Sequence, residues 1–309
     1  MRIAHTRMQA FLIRATIRRE AKGHGWRWGL LAIMTLAFMM ASTPLLVHAA
    51  TPNLVTESAT SAVAAAHSGP YSTAAPDPER WRFTLVPYLW LLAASGDTSV
   101  GNFETDLDIR FSDIVKNLSF GIMADIEVHK GRLGFFADPL FAQLKNYSSI
   151  DVMDNSLGVN KSADIFLLDF GLSYRVWEGR VGQEPDAVGL AVEPFVGGRY
   201  FDINLDVNIE GRDINPDEHW IAPILGLRTY WDVTKTINLR LEGDIGGFGV
   251  SNLDFTWQAI GLVGFRTRVF KLDSNVLVGY RALGQNFDNG NFKLDAIFYG
   301  PVIGLALHF

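Results

Sequence analysis

The chain contains no cysteine, so disulfides, thiolate metal sites and a cysteine nucleophile are excluded at once. Charged residues make up only 19% of it. Histidine is scarce where it could matter: past residue 79 only His129, His219 and His308 remain. There is no phosphate-binding glycine loop, no zinc-ligand spacing and no dinucleotide glycine motif. Long uncharged runs are also few, the clearest spanning residues 29–47. Cationic surface is missing as well. Seven of the 27 basic residues fall within residues 1–49 with the single acid Glu20, which leaves 20 basic against 32 acidic residues beyond them. A body with net charge −12 is a poor nucleic-acid binder.

What is present begins with a basic segment, the apolar run and the small-residue site Val47-His48-Ala49. Together they predict a signal peptide over residues 1–49, cut after Ala49 and exported through the Sec pathway. The alternative is an uncleaved anchor, because 19 apolar residues could just span a bilayer. Residues 50–79, rich in Ala, Ser, Thr and Pro without periodicity, predict a disordered periplasmic lead.

From residue 80 onward apolar residues recur at every second position, the period of a strand with two unlike faces. In residues 119–130, Phe120, Ile122, Ala124, Ile126 and Val128 share one face, and Gly121, Met123, Asp125, Glu127 and His129 the other. In residues 164–177, Phe166, Leu168, Phe170, Leu172, Tyr174 and Val176 alternate with Leu167, Asp169, Gly171, Ser173 and Arg175. In residues 236–246, Ile237, Leu239, Leu241 and Ile245 alternate with Asn238, Arg240, Glu242 and Asp244.

Soluble sandwiches alternate too. Three features favour a membrane barrel instead. The runs are about 11 to 17 residues, long for globular strands and long enough to cross a bilayer at a tilt. Aromatic residues sit near the ends of the apolar faces, with Tyr174 and Trp231 beside short turns and Tyr200, Trp257 and Tyr299 toward longer loops, as two interfacial girdles require. Ile303, Leu305, Leu307 and Phe309 alternate up to a terminal aromatic, resembling the assembly signal of Gram-negative outer-membrane barrels. The expected fold is therefore an all-β, transmembrane, antiparallel up-and-down barrel over residues 80–309, located in the cell outer membrane. Counting back from Phe309 gives about ten strands. Twelve result if a short hairpin within residues 94–118 enters the wall, and eight is the other even alternative. A helical turn capped by Ser112 is expected in that same connection. The acidic residues 202–218 are expected to form an external loop.

One detail repeats on the wet face. Gly197-Gly198-Arg199, Gly226-Leu227-Arg228, Gly264-Phe265-Arg266 and Gly279-Tyr280-Arg281 each place a glycine and an arginine inward, and Gly171 with Arg175 is a stretched version. With Arg240, six inward arginines face seven inward carboxylates: Asp125, Glu127, Asp138, Asp169, Glu193, Glu242 and Asp244. Such charges must be paired if buried, so a narrow barrel would be largely filled by them. The competing reading is a charged constriction that selects solutes.

The pattern resembles a widespread family of proteobacterial outer-membrane β-barrel proteins, mostly of unassigned function. The residues that carry the likeness are Pro87-Tyr88-Leu89-Trp90, Phe111-Ser112-Asp113-Ile114, Gly243-Asp244-Ile245-Gly246-Gly247-Phe248-Gly249-Val250, Thr256-Trp257-Gln258, Gly279-Tyr280-Arg281 and Gly300-Pro301 with Gly304-Leu305. The resemblance implies a fold and a location and brings no catalytic residue. Barrel proteases and lipid-modifying barrels need His with carboxylates, or Ser and His with a carboxylate, near the outer rim. His129 and His308 fall at periplasmic strand ends and are expected to be girdle or turn residues. His219, after Asp213, Asp217 and Glu218, is the one constellation at the correct end. The expectation is a non-enzymatic structural barrel or small passive pore without cofactor or metal. The alternatives are a surface-loop adhesin or an outer-membrane hydrolase using His219. Expected partners are outer-membrane lipid and lipopolysaccharide, with the barrel-assembly machinery and periplasmic chaperones during biogenesis, and no nucleic acid.

Overall fold

The computed structural model describes residues 80–100, 103–145, 161–183, 187–209, 212–214 and 217–309. The expected signal peptide and lead, residues 1–79, lie outside them. In chain order the elements are β1 (Trp81–Trp90), β2 (Ala93–Val100), β3 (Phe103–Ile109), α1 (Phe111–Asn117), β4 (Leu118–Lys130), β5 (Leu133–Lys145), β6 (Lys161–Tyr174) and β7 (Trp177–Val181). There follow β8 (Val188–Ile209), β9 (Arg212–Ile214), β10 (Asp217–Asp232), β11 (Ile237–Val250), β12 (Leu253–Val269), β13 (Leu272–Asp288) and β14 (Phe292–His308). Among the described residues no helix is long and apolar enough to cross a membrane.

Ten strands form the wall, in the order β1-β4-β5-β6-β8-β10-β11-β12-β13-β14, each antiparallel to its neighbours, and β14 closes on β1. Closure runs from Trp90 opposite Val302 down to Thr84 opposite His308. Phe309 extends it, donating its N–H to the Phe83 carbonyl at 2.9 Å and accepting the Phe83 N–H at 3.4 Å. Following paired residues around the wall from Thr84 leads through Glu127, Phe136, Gly171, Gly197, Ile224, Gly246, Thr256 and Gln285 to Ala296, whose partner is Gly96. One circuit thus advances twelve residues along the first strand. With ten strands, that stagger corresponds to a tilt of roughly 40°.

The alternation in the sequence becomes the two faces of the wall. Phe120, Ile122, Ile126, Leu172, Tyr174, Leu225, Leu227 and Ile245 point outward and stay exposed, while Asp125, Glu127, Asp169, Arg228, Arg240 and Asp244 point inward and are buried. The hairpin expected in the first connection does not enter the wall as two further strands. β2 continues β1 beyond a bend at Leu91-Leu92 and pairs with the loop-end half of β14, and β3 pairs only with β2. β7 continues β6 past an irregularity at Arg175-Val176 and pairs with β8. The acidic stretch expected as a loop is largely strand, because β8 runs on to Ile209, β9 pairs with it, and β10 begins at Asp217.

Ser112 does not cap α1. The helix starts earlier, at Phe111, with Arg110 in the extended N-cap position and its carbonyl accepting the Asp113 and Ile114 N–H groups. Ser112 is therefore one residue inside the first turn.

The lumen is filled in layers. Toward the loop end, inward aromatic rings stack: Phe201 on Trp220 at 4.7 Å between centroids, and Trp220 on Phe287 at 4.2 Å. Phe292, Phe298 and Leu294 pack around them. At the turn end, Asn238 donates to Asn275 Oδ1, Asn275 pairs with His308 Nε2, and His308 Nδ1 meets the Thr84 hydroxyl. Between these layers lies the charge network.

Candidate functional site

The central layer is built from inward positions of the wall strands. Arg228 on β10 and Arg240 on β11 converge on Glu242. Arg228 Nε donates to Glu242 Oε2 at 2.7 Å and its Nη2 to Oε1 at 3.1 Å, a bidentate fork, while Arg240 Nη2 reaches Oε2 at 2.7 Å. Both guanidinium groups also cross the lumen to β4, where Nη1 of each lies 3.1 Å from Glu127 Oε1 and Arg240 Nη1 donates to Asp125 Oδ2 at 2.9 Å.

A second set lies nearer the loop end. Arg199 on β8 forks onto Asp169 at 2.7 and 3.0 Å and reaches Asp244 at 3.0 Å. Arg281 on β13 donates to Asp138 at 2.8 Å and approaches Asp169 at 3.3 Å. Its Nη1 also donates to the Tyr88 hydroxyl, which in turn donates to Asp138 at 2.7 Å. A third set sits below, where Arg175 Nε donates to Glu193 at 2.6 Å and Nη1 approaches Glu178 at 3.4 Å. Five of the six arginines singled out from sequence, and all seven carboxylates, are joined in these sets.

Arg266 is the exception and corrects the sequence reading. Its side chain pairs with Asp232 and donates to the Thr234 and Lys235 carbonyls, so it clamps the turn between β10 and β11 and does not reach the lumen sets. Parity places it inward, but its position near the end of its strand puts it beside the turn carbonyls. His129 and His308 also depart from their expected girdle role. His129 is 2% exposed, 3.5 Å from Glu193, and His308 bonds inward to Thr84 and Asn275. Both stand on the inner parity of strands whose ends are folded into the barrel.

Sequence reasoning missed Arg82, Glu178, Tyr88 and Gln258. Arg82 is buried and donates to the Gly131 carbonyl at 3.1 Å. Its even position among outward Trp81, Phe83 and Leu85 was the available signal. Gln258 accepts from Arg281 and donates to Asp244, linking two members of the second set through a neutral amide. At Gly226 the Gly-x-Arg pattern serves a more specific end than free room for guanidinium. A Cβ on Gly226 would stand 2.2 Å from the Phe195 ring, and Arg228 packs its guanidinium over Phe195 and Phe136 at 5.5 and 4.9 Å. Gly226 thus admits the ring on which the arginine rests.

The network borders a cavity of about 40 Å³, whose lining includes Asp125, Asp138, Arg240, Glu242 and Arg281 together with Phe136, Ile260 and Leu262. That is room for a few waters. Asp125 Oδ1, on its lining, has no hydrogen-bonding protein partner. The arrangement gathers paired charges around this cavity, and His129 Nε2 lies 3.5 Å from Glu193 at its turn-end side.

At the loop end, outside the lumen, Asp202, Asp217 and His219 bring ligand-type atoms within 4.8 Å of one another. Tyr200 donates to Asp202 at 3.0 Å. Of the acids expected around His219, Asp217 is in this group, Glu218 instead accepts from Asn289, and of the Asp213 side chain nothing is described.

No family model matches the chain, and no curated protein is similar to it in sequence. Comparison with solved structures returns bacterial outer-membrane barrels at low similarity. Neisserial surface protein A is 12% identical over 75% of this chain and 100% of that chain, with a TM-score of 0.30. Ail, the attachment invasion locus protein of Yersinia pestis, is 8% identical over 75% and 99%, with a TM-score of 0.30. A Pseudomonas aeruginosa FadL homologue is 10% identical over 79% and 93%, with a TM-score of 0.27. At these scores the likeness says nothing of ligand or activity, and the barrel itself rests on the strand pairing.

Proposed function

We propose that this chain is an integral barrel of the Gram-negative outer membrane whose lumen is closed by its own charges and aromatic rings, a structural barrel rather than an open pore. The membrane reading is supported by the outward face. Leu225, Leu172, Val196 and Ile245 are exposed apolar residues between two aromatic levels. Trp81, Phe83, Tyr174 and Phe265 stand toward the turn end, and Phe120, Phe166, Tyr200 and Trp257 toward the loop end, the arrangement of interfacial girdles. A face of this kind in water would be an aggregation surface.

The observation that carries closure is the sharing of Glu242 and Glu127 by Arg228 and Arg240 across the lumen, with all four side chains no more than 5% exposed. Ions cannot pass charges so tied without breaking several short ion-pair bonds. At the rim, His219 lies in an exposed group with Asp202 and Asp217. The expected partners are those of the bilayer and of assembly: outer-membrane lipid, lipopolysaccharide and the barrel-assembly machinery. The test is reconstitution of the purified protein in planar bilayers. Baseline current is expected for the native chain; a stable open channel with unitary steps would replace the closed barrel by a pore.

A further inference from the structure

We propose that the wall carries a lateral docking slot for one acyl chain of an outer-leaflet anionic lipid, between β1 and the loop-end half of β4; this rests on the membrane reading above. Pairing of β1 with β4 runs from Trp81 opposite Lys130 and stops at Pro87 opposite Ala124. Beyond that point β2 turns to β14 and β3, and neither pairs with β4. Residues 118–123 of β4 therefore have a strand partner on one side alone, β5. α1 crosses the loop end of this window, close to β2 on one side and β5 on the other.

An unpaired strand edge inside a bilayer is costly because its backbone groups find no water. On the β1 side the fold lowers that cost. Pro87 has no N–H. The Trp90 N–H is directed to the Met123 thioether at 3.2 Å, the Leu91 N–H donates to the Pro301 carbonyl at 2.8 Å, and the Leu92 N–H turns back to the Trp90 carbonyl at 2.9 Å. These donors are used without the β4 backbone, so an apolar chain can lie against the β1 edge.

The lining suits such a chain. Leu89, Phe120 and Ile122 flank the window as exposed apolar side chains, and Leu92, Leu118 and Met123 pack from it onto the interior apolar cluster. Gly121, on the inward parity of β4, is exposed where the neighbouring inward positions Asp125 and Glu127 are buried. The floor is the Trp90 ring, which stacks on Arg281 at 4.8 Å and separates the window from the charges below. At the top, the last turn of α1 presents exposed Lys116, a cation at the level where a lipid phosphate would sit.

The test uses the native chain in vesicles containing phosphatidylglycerol with a diazirine at mid-chain, followed by photolysis and mapping of labelled residues. Label is expected at the slot residues Leu92 and Met123 as well as at lipid-facing Leu168 and Leu225. Gly121→Phe fills the window, since a Cβ there meets only the Leu118 side chain and the Phe141 carbonyl at 3.6 Å. It should remove label from Leu92 and Met123 and leave Leu168 and Leu225 unchanged. Lys116→Glu should lower slot labelling by phosphatidylglycerol but not by the corresponding phosphatidylcholine. Label at Leu168 and Leu225 alone overturns the slot while the membrane reading stands. Absence of label at all four positions overturns both.

Discussion

Replacing Glu242 by Ala removes the carboxylate on which two arginines converge, and its cost can be followed bond by bond. Four hydrogen bonds are lost, two from Arg228 at 2.7 and 3.1 Å and two from Arg240 at 3.2 and 2.7 Å. Charge-assisted bonds contribute roughly 1.5–3 kcal/mol each when isolated. They do not add here, because Arg228 keeps Glu127 and Arg240 keeps Glu127 and Asp125. The adjoining cavity also grows and admits water to the freed guanidinium groups. The expected net destabilisation is about 3 to 5 kcal/mol, the range for a buried charge that loses a partner. It should appear as a lower unfolding midpoint in urea, followed by intrinsic fluorescence and by the mobility shift of unboiled barrel on gels. Conductance in planar bilayers should rise from baseline, since the shared carboxylate holds both arginines across the lumen. Unchanged stability together with altered ion selectivity in an already conducting channel would refute the closed-lumen reasoning.

Leu225→Arg places a charge on the outward face near mid-depth and should cost about 2 to 4 kcal/mol, whereas Val233→Arg, in the turn after β10, should cost about 0 to 1, read as unfolding free energies in vesicles. Equal costs would show the wall to be wrongly placed in the bilayer. Trp220→Ala removes the ring stacked between Phe201 and Phe287 and should destabilise by about 3 to 5 kcal/mol without opening the channel, because the charge layer below remains. Deleting Phe309 takes away the last pair of bonds closing β14 on β1 and should reduce the yield of heat-modifiable barrel in outer-membrane fractions. Normal yield would mean that residues 303, 305 and 307 suffice for closure and recognition.

The amino-acid sequence by itself determined the faces. A strand repeats every two residues, so the parity of Asp125, Glu127, Asp169, Arg240 and Glu242 is fixed by their apolar neighbours, whatever the rest of the chain does. Ten strands also followed from counting alternating runs between turns. Depth and partnership were decided only by the tertiary structure. Arg228 and Glu127 are 101 residues apart, and Arg240 and Asp125 are 115. Nothing local selects them; the stagger of the closed wall brings β10 and β11 across from β4 at the correct height. The same stagger carries Arg266 to the turn carbonyls while its equally spaced counterparts Arg199, Arg228 and Arg281 reach the lumen. His129 and His308 looked terminal along the chain, yet closure folds those strand ends around the lumen, burying His129 and half-burying His308. The unpaired stretch of β4 was likewise invisible beforehand, because it depends on where β2 goes after Trp90, and that is settled by β14 on the far side of the strand.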